Sequence, residues 1–390
     1  MSIGERALEQ HVEWHGKIEV VSRAAVETAE DLAIAYTPGV AAPCLEIQRD
    51  PDLSYTYTRR GNLVAVITDG SAVLSLGNIG PVAGMPVMEG KCALFKSFAD
   101  IDAFPLCVGT QDVDELVETI RLISGSFGGI NLEDISAPRC FEVERRLKEV
   151  CDIPIFHDDQ HGTAIVASAA LINACRLTGR ELATARIVFS GAGAAGISIA
   201  SLMLELGARD IVLCDVEGAL YEGKPGMNPA QERIAAQTNP RGVTGSLADA
   251  LADADVFVGV SVADVLSPDM VRSMAPYPIV FALANPVPEI MPNEARAAGA
   301  AVCASGRSDF PNQINNVLVF PGVFRGALDV RARDISDGMM VAATHAIAGM
   351  VGEDELRADY ILPSALDKRV VPVVAAAVAE AARAEGLARV

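Results

Sequence analysis

The chain has 390 residues, 51% hydrophobic and 21% charged, a composition that buries a sizeable core and excludes wholesale disorder. Its 31 Lys and Arg against 51 Asp and Glu leave a net charge of −20, which repels phosphate backbones and anionic lipids, so neither nucleic acid nor a membrane is an expected partner. The length suggests two or three domains, no window holds the ~18 apolar residues of a membrane span, and eight scattered cysteines without a C-x-x-C read as reduced, buried thiols of a cytoplasmic protein.

In chain order, residues 5–30 read as helical and lead to the apolar stretch around Tyr36. From Asn62 short apolar runs alternate with helical patterns: a strand at 63–68, a helix at 91–98, strands at 103–108 and 129–132 with a helix at 113–124 between them. Continuously apolar strands separated by helices of about a dozen residues predict a parallel sheet buried on both faces. A second such pattern follows Arg180, with strands at 187–189, 211–214, 256–260 and 279–282 and a helix at 192–206. The expected class is α/β, with two parallel-sheet domains, the second of Rossmann type. The boundaries predicted are 1–158, 159–315 and a mostly helical 316–390 that packs back on the first domain.

Within the second unit, Ser190-Gly191-Ala192-Gly193-Ala194-Ala195-Gly196 gives G-x-G-x-x-G between a strand and a helix. Gly191 makes the tight turn, Gly193 lets backbone N–H groups approach a pyrophosphate, and Gly196 allows close helix–strand packing. Asp215, 19 residues past Gly196, ends the next strand, where a carboxylate bonds ribose hydroxyls. Asp215 and Glu217 oppose a 2′-phosphate and favour NAD over NADP; Lys224 and Arg209, near in sequence, soften that preference.

Acidic pairs end two apolar runs, Glu133-Asp134 and Asp158-Asp159. Carboxylates brought together at strand ends repel unless a cation neutralises them, and an all-oxygen set suits Mg²⁺ or Mn²⁺. The competing reading is helix capping, with Asp159 as the cap of a helix running on from Thr163. His157 and His161 at i and i+4 suggest zinc more weakly, because no H-E-x-x-H is present. Lys91, flanked by Gly90 and Cys92 at the start of an apolar helix, reads either as a base whose pKa burial and a nearby cation would lower, or as a partner of Glu89 or Glu133.

Taken together, AYTPGVA (35–41), VITDGSAVLSLGNIGP (66–81), PVMEGKCALFK (86–96), INLEDISAPRCFEVE (130–144), IPIFHDDQHGTA (153–164), FSGAGAAG (189–196), DVFVGVS (255–261), FALANPVPE (281–289) and GRSDFPNQINNVLVFPGVFRGALD (306–329) resemble the malic enzyme family in its short bacterial form, in family order. The resemblance implies oxidative decarboxylation of (S)-malate to pyruvate and CO₂, with reduction of NAD or NADP and a Mg²⁺ or Mn²⁺ ion, in a protein that forms a homodimer. By matching motif, Lys91 is the base at the C2 hydroxyl, Tyr36 the acid that protonates C3 of enolpyruvate, and Asp158 the support of Lys91. The metal ligands implied are Glu133, Asp134 and Asp159. The cofactor is held by Gly191, Gly193, Ala194, Ala195, Gly196, Asp215, Ser261 and Asn285, and the substrate by Asn285 and Asn316. One departure is that Thr68-Asp69-Gly70 is followed by Ser71 and Ala72, where larger relatives carry an arginine for a malate carboxylate. Arg307, backbone N–H groups or a neighbouring subunit are the substitutes. Plain malate oxidation, redox-neutral decarboxylation and a non-catalytic NAD-binding sensor are the competing functions.

Overall fold

The structure, a computed structural model, describes residues 2–74 and 76–390; Met1 and Ser75 lie outside the described residues. The first fifty residues form α1 (Ile3–Trp14), α2 (Ala29–Ala35) and α3 (Ala41–Arg49), none of which holds a buried residue. The single helix expected over 5–30 is therefore broken. His15 ends α1 in the left-handed conformation, Gly16 follows at φ 104°, and a capping box between Thr28 and Asp31 starts α2. A short α4 (Ser54–Tyr57) leads into the first sheet.

That sheet is built from β1 (Leu63–Thr68), α5 (Pro81–Ala99), β2 (Asp102–Cys107), α6 (Val113–Ile123), β3 (Gly129–Leu132), α7 (Arg139–Val150) and β4 (Ile155–His157). All its strands are parallel, in the order β2-β1-β3-β4. The chain moves out from β1 to β2 and then returns to the other side of β1 as β3. A crevice forms at the carboxyl ends of strands where the order reverses in this way.

From β4 the chain enters α8 (Asp158–Thr178), 21 residues long and mostly buried. The second sheet comprises β5 (Arg186–Ser190), α9 (Ala194–Glu205), β6 (Asp210–Asp215), β7 (Gly218–Ala219), α10 (Pro229–Ala235), α11 (Leu247–Leu251), β8 (Val256–Gly259), α12 (Pro268–Ser273), β9 (Ile279–Ala282), α13 (Pro292–Ala297) and β10 (Val302–Ser305). Its order is β10-β9-β8-β5-β6-β7, parallel except for β7, which pairs antiparallel with β6. Here the order reverses between β5 and β8. The two parallel α/β units, the second of Rossmann type, are the architecture expected from the sequence.

Helices α14 (Phe320–Asp329), α15 (Asp337–Gly349) and α16 (Val370–Ala384) complete the chain. Helix α14 lies against α5, α15 lies against α8 and α9, and α16 packs on α14 and α15. Val64, Phe95, Phe156, Phe189, Phe281 and Phe320 consequently belong to one continuous core that joins both sheets to these helices. All eight cysteines are free and six are buried. No helix among the described residues is long and apolar enough to cross a membrane.

Candidate active site

The first crevice is lined by acids because β3 and β4 both run out into carboxylates. Glu133 and Asp134 follow β3, and Asp158 and Asp159 open α8 directly after β4. One ligand atom each from Glu133, Asp134 and Asp159 falls within 4.8 Å of the others. Asp134 takes up a φ of 55°, and its backbone N–H donates to Asp159 Oδ2 at 2.7 Å. Asp159 is thus bonded across the crevice and does not cap a helix, since α8 already begins at Asp158. Asp134 Oδ2 is buried with no hydrogen-bond partner among the described residues. Burial is the first cause that raises each carboxyl: Glu133 to about 7, Asp134 to about 8 and Asp159 to about 6. The Asp159 charge adds to the shift of the first two. Three crowded acids and an unpartnered buried oxygen fit a hard divalent cation with oxygen ligands.

Lys91 projects from α5 into the same place. Its Nζ stands 2.6 Å from Asp158 Oδ2 and 2.9 Å from Glu133 Oε1, over the Phe320 ring at 4.4 Å. Burial alone would lower the Lys91 pKa, as expected from the sequence, but the Asp158 and Glu133 charges outweigh it and hold the ammonium protonated. Asn316, in the short turn Asn316–Leu318, donates through Nδ2 to the same Asp158 oxygen, and Asp158 is itself fully buried. Asp158 Oδ1 has no hydrogen-bond partner among the described residues. Lys91, Asp158, Asn316 and the three acids therefore form one constellation.

Neither histidine belongs to the carboxylate trio. Burial lowers His157 to about 4, and neither of its ring nitrogens is bonded among the described residues. His161 Nε2 meets both oxygens of Glu144 at 2.8 and 2.9 Å. Arg307, a candidate for a malate carboxylate, pairs with Asp309 and donates to the Pro286 carbonyl. Tyr36, at the end of α2, is 65% exposed and hydrogen-bonds to none of the constellation. A cleft of about 890 Å³ between α7, α8, α9 and α10 is lined by Glu144, His161 and Ser198, and by none of the trio. The carboxylate trio sits at the strand ends, outside that cleft.

The second crevice carries the glycine loop. Gly191, at φ 112°, follows β5, and a Cβ on Gly196 would stand 2.0 Å from the Gly191 carbonyl oxygen. At Gly193, the N-cap of α9, a Cβ would meet nothing within 4 Å, so this side of the loop is open toward a ligand. Ala194 and Ala195 form the first turn of α9, with N–H groups available to phosphate oxygens. Ser261, past β8, shares a 2.9 Å hydroxyl contact with Ser190, and Asn285 follows β9. Asp215 ends β6, and Lys224 Nζ lies 2.9 Å from its Oδ1. Arg209 precedes the opposite end of that strand, which removes it from the environment of Asp215.

Two models of known families match the chain, the malic enzyme N-terminal domain over residues 15–148 and the malic enzyme NAD-binding domain over residues 160–383. The chain belongs to the malic enzyme family. It is 58% identical to the bifunctional malic/malolactic enzyme of Bacillus subtilis, across 100% of this chain and 95% of that one. It is 51% identical to the NAD-dependent malic enzyme of Geobacillus stearothermophilus, across 100% of this chain and 81% of that one. The malic enzyme crystal structure from Pyrococcus horikoshii is similar at a TM-score of 0.94 and 45% identity, covering 98% of this chain and 92% of that one. Other malic enzyme relatives are named NADP-dependent at 50% identity.

Three supporting contacts of this malic enzyme were missed from the sequence. Glu289, fully buried, accepts from the backbone N–H of Ser261 at 2.8 Å and of Ala284 at 3.1 Å, so one side chain ties together the two loops that carry Ser261 and Asn285. Asn131 donates to Glu133 at 2.8 Å and fixes its free oxygen. Glu144 holds His161 and so anchors the first turn of α8 to α7. Glu289 ends the stretch 281–289 already matched to the family, so an unexplained acid inside that match was the available signal.

Proposed function

We propose that the chain converts (S)-malate to pyruvate and CO₂ while reducing NAD or NADP, with Mg²⁺ or Mn²⁺ held by Glu133, Asp134 and Asp159. The observation that carries this reading is the double grip on Lys91, by Asp158 and by Glu133, which is itself one of the trio. When bound, the cation supplies positive charge for carbonyl polarisation and the dinucleotide supplies the hydride acceptor. A cation held by Glu133 and Asp159 would weaken the hold that keeps Lys91 protonated, leaving Lys91 Nζ as the base for the proton of the C2 hydroxyl. Asp158, bonded to Lys91 and Asn316, keeps the amine aimed and receives the charge it gains. Asn285 and Asn316 bind substrate, and Gly191, Gly193, Ala194, Ala195, Gly196, Asp215 and Ser261 hold the cofactor. Tyr36 donates a proton to C3 of enolpyruvate.

Tyr36 stands exposed on a segment whose helices bury nothing, with Ile3, Leu8, Val12, Val20, Val21, Leu32 and Ile34 also facing solvent. Seven large apolar side chains exposed on one short segment favour a second copy of the chain as their cover, and we propose a homodimer in which this segment is covered and Tyr36 completes a site. The domain limits proposed are 1–158 for substrate and metal, 159–315 for cofactor and 316–390 for the closing helices. The free, mostly buried thiols favour a cytoplasmic setting.

The test is chelator-stripped protein with malate and either NAD or NADP, with and without Mn²⁺, read as reduced nicotinamide and as CO₂. Metal-dependent reduction with matching CO₂ is the expected result. Reduction without CO₂ would assign plain malate oxidation. CO₂ without net reduction would assign the redox-neutral reaction, a reading favoured by the malic/malolactic name of the Bacillus subtilis relative.

A further inference from the structure

Strand β6 brings Asp215 to the glycine loop, because the Gly191 N–H donates to the carbonyl of Cys214 at 2.9 Å, one residue before it. The hairpin to β7 then turns the chain back, with Asp215 opposite Gly218. Beyond it, Lys224 returns its ammonium to the same carboxylate, 2.9 Å from Asp215 Oδ1, and donates also to the Gly218 carbonyl at 3.3 Å. The backbone N–H of Glu217 donates to that same Oδ1 at 2.9 Å. Both bonds thus fall on one oxygen, and Oδ2 keeps its lone pairs free of protein donors among the described residues. The Lys224 side chain is only 9% exposed, so its position is set by the fold, unlike that of a wandering surface lysine.

Two consequences follow from this geometry. The free Oδ2 remains an acceptor for ribose hydroxyls, as NAD requires. The charge of Asp215, which alone would repel a 2′-phosphate, is cancelled by an ammonium that has three N–H donors and spends two of them on Asp215 and Gly218. The third has no protein acceptor among the described residues. We infer that Lys224 is the specificity-determining residue that lets this chain accept NADP beside NAD, with Asp215 serving the ribose of NAD and Lys224 the 2′-phosphate of NADP. The inference rests on the cofactor site proposed above, and it revises the simple preference for NAD that Asp215 and Glu217 suggest.

The experiment compares wild type with Lys224→Met, Lys224→Arg and Asp215→Asn. Isothermal titration with 5′-AMP and 2′,5′-ADP reads the 2′-phosphate without any turnover, and malate-dependent reduction of NAD and NADP gives the ratio of the two kcat/KM values. Lys224→Met is expected to lower both the preference for 2′,5′-ADP over 5′-AMP and the NADP-to-NAD ratio by about tenfold or more. Lys224→Arg is expected to keep both, and Asp215→Asn to raise the NADP-to-NAD ratio. Equal losses for both nucleotides in Lys224→Met would reduce the lysine to a staple of the hairpin and overturn the inference. So would a wild type that binds 5′-AMP but gains nothing from the 2′-phosphate. A wild type that binds both nucleotides with the expected Lys224 dependence yet reduces neither cofactor with malate would overturn the proposed reaction and leave this inference standing.

Discussion

Lys91 is held by more negative charge than any single role requires. Two carboxylates grip it, and both have pKa values raised to about 7, so each can take up a proton when its partner is removed. Lys91→Met should therefore keep its fold, as read by circular dichroism, while malate oxidation falls by about 10²- to 10⁴-fold, the usual worth of a positioned base. Reduced nicotinamide should still bind by fluorescence; near-normal turnover would remove Lys91 from the role of base. Glu144 is the opposite case. Burial alone would push its carboxyl up, but His161 beside it pulls it down from 4.5 to about 2. A depressed carboxyl stabilises the fold above its unfolded value and loses that contribution as pH falls through the folded one. The wild type should accordingly lose more stability between pH 4.5 and 2 than Glu144→Gln does. Parallel acid-melting curves for the two proteins would contradict this. Residues with chemistry in their motif, such as Lys91, Glu133 and Asp159, were legible in the sequence. Glu289 and the Lys224–Asp215 pair were less so, because their meaning lies in contacts made across loops and hairpins.

At the scale of elements, the strands of the two sheets were easiest to read. Parallel strands buried on both faces leave uninterrupted apolar runs, and β1, β3 and β9 lie at 63–68, 129–132 and 279–282, as those runs predict. The two-residue β7 is too short to leave such a run, and β10, although as long as β3 and β9, reads Val302-Cys303-Ala304-Ser305, whose small and polar residues leave no strongly apolar run. Residues 5–30 look continuous only if the His15-Gly16 stop is overlooked. The closing helices show how tightly elements can meet. A Cβ on Gly326 of α14 would stand 2.5 Å from the carbonyl oxygen of Ala375 in α16, and one on Gly322 would stand 2.7 Å from Val374 Cβ. Gly326→Ala gains about 1 kcal/mol of helix propensity, but it forces backbone apart at a cost of ~1–3 kcal/mol. The melting temperature should fall, and a rise would mean that the two helices separate freely.

At the scale of the molecule, the N-terminal face and Tyr36 make a joint prediction. If the homodimer brings Tyr36 of one copy to Lys91 of the other, two inactive proteins should repair each other. Mixing Tyr36→Phe with Lys91→Met, after dissociation and reassociation, would then regenerate one intact site in each mixed dimer and recover measurable malate oxidation. No recovery from a mixture shown to contain mixed dimers would place Tyr36 and Lys91 of the same copy together. A protein that sediments as a monomer at all concentrations would remove the shared site altogether.

Helix α8 begins with two acids of the first crevice, runs for 21 mostly buried residues, and packs against α9, the helix that opens from the glycine loop. Neither sheet can melt alone without stripping one side of this shared helix. The chain should therefore unfold in one calorimetric transition despite its two sheets, and the amides of α8 should be among the last to exchange with deuterated solvent. Two resolved transitions would show that the helix belongs energetically to one half. A helix bound into both halves also couples the two crevices, so a movement that opens the acidic one to malate is transmitted through α8 to α9 and the glycine loop.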